Sequence, residues 1–162
     1  MTSDRSAGGG VVVVSFIIAL LLTILPLPDW AAPYRPDWVL LVLIYWCMAL
    51  PERIGVGTGW VMGLLLDVIN GVLLGLHALA FSVVAYLAML LHRRIRVFPL
   101  WQQALTVLIL VGFSQLLVLW VLGITGTAPR GWQYWLPSLT SMVLWPWIFV
   151  LLRDVRRRFS VR

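Results

Sequence analysis

The sequence predicts an all-α polytopic membrane protein with six transmembrane helices, and three observations carry that reading. First, 62% of the 162 residues are hydrophobic and only 11% are charged, against about 45–50% and about 25% in soluble domains. So few charges cannot clothe a water-soluble surface, so the medium is lipid. Second, the apolar stretches are broken at short intervals by Pro, Gly and charged clusters. Third, the cations are all arginine, with a net charge of +6, and they gather in the gaps and the tail. A nucleic-acid stripe would be spread differently, so no nucleic-acid partner is expected. Phospholipid head groups fit the placement instead.

A spanning helix needs about 20 residues, with a range of roughly 17–25. The first span is read over 11–27. Its "VVVVSFIIALLLTIL" resembles a secretory signal but lacks a small-x-small cleavage site before Pro26, so an uncleaved span is preferred. Pro26, Pro28, Pro33 and Pro36 interrupt helix and make 28–36 an interfacial loop. The second span, 37–50, opens on "PDW", where Asp37 can cap the first turn.

From residue 55 to 91 the chain is predominantly apolar. As one helix this run would be about 55 Å long, nearly twice the hydrocarbon thickness of about 30 Å. It must fold back. Asn70-Gly71 is the turn signal nearest its middle and Gly75 a second break, giving spans at 55–70 and 76–91. Whether residues 67–77 form a clean turn or a re-entrant pair stays open. "HRRIRVFP" (92–99) reads as a basic loop, 100–122 as the fifth span, 123–134 as a loop, and 135–152 as the sixth span. Pro146 is expected to kink that last helix. Residues 153–162 form a basic tail, and the whole of 1–162 reads as one domain.

Arginine placement tests the count. With six passages both termini share a side with 51–54 and 92–99. That side holds Arg5, Arg53, Arg93, Arg94, Arg96, Arg153, Arg156, Arg157, Arg158 and Arg162, against Arg35 and Arg130 opposite. Ten against two puts both termini in the cytoplasm by the positive-inside rule. A single passage over 55–91 weakens the asymmetry to nine against three. Trp30, Trp38, Trp101, Trp132 and Trp135 fall near span ends, as interfacial anchors do. The single cysteine, Cys47, lies in an apolar run and reads as a small core residue; no metal site is expected.

Gly55, Gly59, Gly63, Asp67, Gly71 and Gly75 recur every four residues, a stripe that lets another backbone come close. An internal helix contact and a contact with a partner's helix are both open. Asp67 lies deep in its span, where a carboxylate costs about 2.5–3.5 kcal/mol. Asn70, His77 and Gln115 are candidate polar partners at similar depth, and Arg35 or Arg130 can reach in from the loops. A structural bond and a functional ion, proton or ligand role both fit Asp67. Arg93, Arg94, Arg96, Arg156, Arg157 and Arg158 are candidates for contact with anionic phospholipids or a cytoplasmic partner.

No catalytic set assembles. An intramembrane aspartyl protease needs two opposed carboxylates, and only Asp67 is deep in a span. His-Glu-x-x-His is absent. Ser114 or Ser82 with His77 lacks the Gly-x-Ser-x-Gly elbow. No catalytic residue and no cofactor is expected.

The segments "RPDWVLLVLIYWCMALPERIGVGTGWVMGLLLDVINGVLLGLHALAFSVVAYL" (35–87), "LWQQAL" (100–105) and "LWPWIF" (144–149), with the length and span layout, resemble the rod shape-determining protein MreD family in its gammaproteobacterial form. Gly63, Asp67 and Gly75 match a recurrent family pattern. The resemblance implies a non-enzymatic inner-membrane scaffold of the cell-elongation machinery. Its implied partners are MreC directly, and MreB, RodA and its transpeptidase through the complex. It also implies a fold like the substrate-binding component of vitamin transporters. A small-molecule or transporter subunit with a pocket near Asp67 is the alternative.

Overall fold

A computed structural model describes residues 2–159, with side chains from residue 8 onward. Arg162 and the side chain of Arg5 lie outside the described residues. Six α-helices follow one another: α1 (Thr2–Ile24), α2 (Trp38–Ala49), α3 (Val56–Asn70), α4 (Leu76–Val97), α5 (Leu100–Ile124) and α6 (Leu136–Arg158). Short 3-10 turns at Ala32–Tyr34 and Trp132–Trp135 lead into α2 and α6. Leu76–Val97, Leu100–Ile124 and Trp132–Arg158 are long and apolar enough to cross a membrane; Gly8–Ile24 and Val56–Asn70 are apolar but shorter.

α2 is the centre of the molecule. Every residue from Val39 to Met48 is buried, as expected of a helix apolar on all sides. α1, α4 and α6 surround it. α3 pairs with α4, and α5 packs between α4 and α6. α1 turns Val12, Phe16 and Ala19 inward and exposes Val13, Ile17 and Leu21 on the other side, the division a helix at a lipid boundary needs. The largest enclosed side chains are Trp46 and Trp145. Each indole N–H finds an acceptor: Trp46 Nε1 donates to Ser15 Oγ at 2.9 Å, and Trp145 Nε1 to Gln103 Oε1 at 3.3 Å.

Two local expectations differ from the structure. The basic segment after residue 91 is helical through Val97 rather than a loop. Arginine is a good helix former, cations suit the negative end of a helix, and the helix yields only at Phe98, before Pro99. The same argument carries α6 through Arg156, Arg157 and Arg158. Asp37 precedes α2, but its carboxylate makes no capping bond; its backbone N–H donates to Ser141 Oγ of α6 at 3.1 Å instead. Pro146 lies inside α6, as expected, and its ring removes one backbone donor there.

Candidate functional site

The turn from α3 to α4 brings the deep polar residues together. Gly71, at φ +67°, closes α3 in a left-handed conformation. Its N–H donates to Val68 O at 3.3 Å, and the N–H of Val72 donates to Asp67 O at 3.2 Å. This paired closure satisfies two carbonyls that the helix end leaves over. Gly75, at φ +96°, opens α4. Between them the chain reverses over residues 71–75.

Asp67 holds that reversal from inside. Its carboxylate is fully buried and receives the start of α4. Gly75 N–H donates to Oδ2 at 3.0 Å, and His77 N–H donates to Oδ1 at 3.0 Å and to Oδ2 at 3.2 Å. His77 Nδ1 lies 2.7 Å from Oδ1. The ring and the carboxylate share one hydrogen bond. Asp67 is thus a helix cap supplied by the preceding helix. It meets the unpaired N–H groups and the positive end of α4 with a negative charge.

The glycine stripe divides into two jobs. A Cβ on Gly63 would lie 2.4 Å from Ala78 Cα and 2.5 Å from His77 O; one on Gly59 would lie 2.8 Å from Phe81 O. Here the α3 backbone rests directly on that of α4. Gly55 faces the flexible end of Met89. A Cβ on Gly71 or Gly75 would meet nothing within 4 Å, and these two serve by their positive φ. The face carrying Gly59 and Gly63 is covered by α4 of the same chain.

The other expected polar residues are elsewhere. Asn70 is exposed. Gln115 belongs to a separate clasp: its Nε2 donates to Tyr134 O at 3.0 Å and Tyr134 Oη donates to Gln115 O at 2.7 Å. Arg35 donates to Thr23 O and Leu25 O, closing the end of α1. Arg130 is exposed in its loop. Ser82 Oγ donates to Ala78 O of its own helix at 2.6 Å. Among the described residues no group of three His, Cys, Asp or Glu side chains could hold a metal ion.

Sequence reasoning missed Gln103. It is buried, and its Nε2 donates to Ile95 O at 3.1 Å and Phe98 O at 3.2 Å, closing the far end of α4. Its Oε1 accepts from Trp145 of α6. α4 is therefore capped at both ends by side chains from its neighbours, Asp67 of α3 and Gln103 of α5. Arg96, in the last turn of α4, donates to Ala49 O at the end of α2 at 2.9 Å. Arg93, Arg94, Arg157 and Arg158 are exposed, and Arg156 is partly buried.

A family model described as rod shape-determining protein MreD matches residues 4–155. The rod shape-determining protein MreD of Haemophilus influenzae is 37% identical over 146 residues, covering 90% of each chain. No solved structure matches.

Proposed function

This chain belongs to the rod shape-determining protein MreD family, and from that premise we propose that it is a non-enzymatic scaffold of the cell-elongation machinery in the bacterial inner membrane. In this reading it makes six passages, keeps both termini in the cytoplasm and folds like the substrate-binding component of vitamin transporters. It binds MreC directly, and through the complex it positions MreB, RodA and its transpeptidase for peptidoglycan synthesis. The family match over residues 4–155 carries the reading. Two features support a scaffold. The α3–α4 pair is locked by backbone contact at Gly63 and by the Asp67 cap, which makes a rigid body. α1, α3 and α5 also expose long apolar faces, including Val13, Leu65 and Ile109, on which helices or lipid can pack.

The small-molecule reading gains nothing from Asp67, whose two oxygens are already engaged by the backbone and ring of α4. The test is depletion of the chromosomal copy followed by complementation with a tagged chain. Restored rod shape and recovery of MreC with the tag are the expected results. Cells that stay rods after depletion, or a tagged chain that never retains MreC, would count against the proposal.

A further inference from the structure

Where α2, α4 and α6 end together, a cavity of about 220 Å³ opens between them. Tyr45 and Met48 of α2, Arg96 of α4, and Phe149, Arg153 and Arg156 of α6 line it. Three guanidinium groups thus surround one small space, and none of these lining groups is acidic. Asp154 is mostly exposed, and its Oδ1 is 3.9 Å from Arg153 Nε, beyond hydrogen-bond length. Arg153 Nε is buried and has no hydrogen-bond partner.

Two of the three cations are held in place. Arg153 lies over the Phe149 ring, 5.9 Å from its centroid, and that ring meets Tyr45 edge-on at 5.8 Å. Arg96 is tethered to Ala49 O. Three cations lining one space repel one another, and the buried Arg153 Nε is a donor left unused. An anion with several acceptor oxygens relieves both.

We propose that this cavity binds a phosphate group. Guanidinium forks match phosphate oxygens two at a time, and the cavity presents three of them. Its volume is below the roughly 300–1,000 Å³ that encloses a drug-sized ligand, so it admits a head group and leaves any long substituent outside. The site lies at the ends of apolar helices with Met48 and Phe149 as its apolar wall, and the ends of membrane-crossing helices lie near the level of lipid phosphates. The phosphate therefore comes from an anionic phospholipid head group or from a free phosphate. This inference does not depend on the scaffold reading.

The experiment uses the purified full-length chain in phosphatidylcholine nanodiscs, titrated with phosphatidylglycerol and separately with inorganic phosphate. Arg153→Gln with Arg156→Gln should weaken binding roughly tenfold or more. Arg130→Gln removes an exposed positive charge outside the cavity and should leave binding unchanged. Displacement of bound phosphatidylglycerol by millimolar inorganic phosphate, or binding of inorganic phosphate alone, identifies a free-phosphate site; resistance to it identifies the lipid head group. Equal loss in the cavity variant and in Arg130→Gln, or loss in neither, overturns the proposal. Should the cavity variant fail to fold, the wild-type chain decides: saturation at one ligand per chain supports the site, and unsaturable uptake overturns it.

Discussion

A carboxylate inside a lipid-embedded helix costs about 2.5–3.5 kcal/mol at the bilayer centre, so Asp67 must recover at least that much. It accepts from two backbone N–H groups and one imidazole, and hydrogen bonds to a charged group contribute about 1.5–3 kcal/mol each. The residue therefore stabilises the turn on balance, which makes a structural role sufficient to explain it. Asp67→Ala would leave the partly buried Gly75 and His77 donors without an acceptor and should cost about 3 kcal/mol. Asp67→Asn keeps a capping oxygen but not the charge, so it should fall between alanine and wild type. Thermal unfolding of the detergent-solubilised chain, with protease sensitivity at residues 71–75, ranks the three. An alanine variant as stable as wild type would remove the capping account. The sequence already pointed to Asp67 and to His77 as a partner. It did not reveal that the backbone of the next helix is the main donor, because that depends on how residues 71–75 turn.

Among the elements, the α3–α4 pair is where spacing and structure can be separated most sharply. A four-residue glycine period marks close approach, yet only Gly59 and Gly63 press on backbone. Gly63→Ala would force its Cβ to within 2.4 Å of Ala78 Cα, and neither backbone can yield without parting the helices. Overpacking of this kind costs typically about 1–3 kcal/mol, and here the obstacle is main chain, so the upper end is expected. Gly112, in the middle of α5, has nothing within 4 Å, and Gly112→Ala should be neutral or stabilising by up to about 1 kcal/mol. Melting temperatures of the two variants check the contrast; equal effects would mean that the close approach at Gly63 is not decisive. Helix positions were legible from apolar runs bounded by Pro, Gly and Arg. The capping of α4 by Gln103 was not, because a glutamine in "LWQQAL" looks like any polar residue until Ile95 O and Phe98 O are brought to it. The helical basic segment was hidden for a related reason: arginines mark an interface equally well as a loop or as the last turn of a helix.

At the scale of the whole molecule, helix lengths decide how the chain is disposed. α4 has 22 residues and α5 has 25, about 33 and 38 Å at 1.5 Å per residue, each enough for a hydrocarbon layer of about 30 Å. α2 and α3, with 12 and 15 residues, reach only about 18 and 22 Å. α2 can be short because protein encloses it on every side. α3 can be short because its end is closed by Gly71 and its carboxylate caps α4, so few backbone groups at the turn are left for lipid to strand. The long helices then fix which loops lie together. α4 separates Leu74 from Arg94, and α5 separates Arg94 from Arg130. Leu74 and Arg130 should therefore share one side of the membrane, opposite Arg94. Cys47 is fully buried and gives a silent background for single substitutions Leu74→Cys, Arg94→Cys and Arg130→Cys. With a membrane-impermeant thiol reagent on intact spheroplasts, positions 74 and 130 should react and position 94 should react only after permeabilisation. If positions 74 and 94 reacted from the same side, α4 would not be a passage, and the arginine asymmetry on which six passages rest would lose its geometric support.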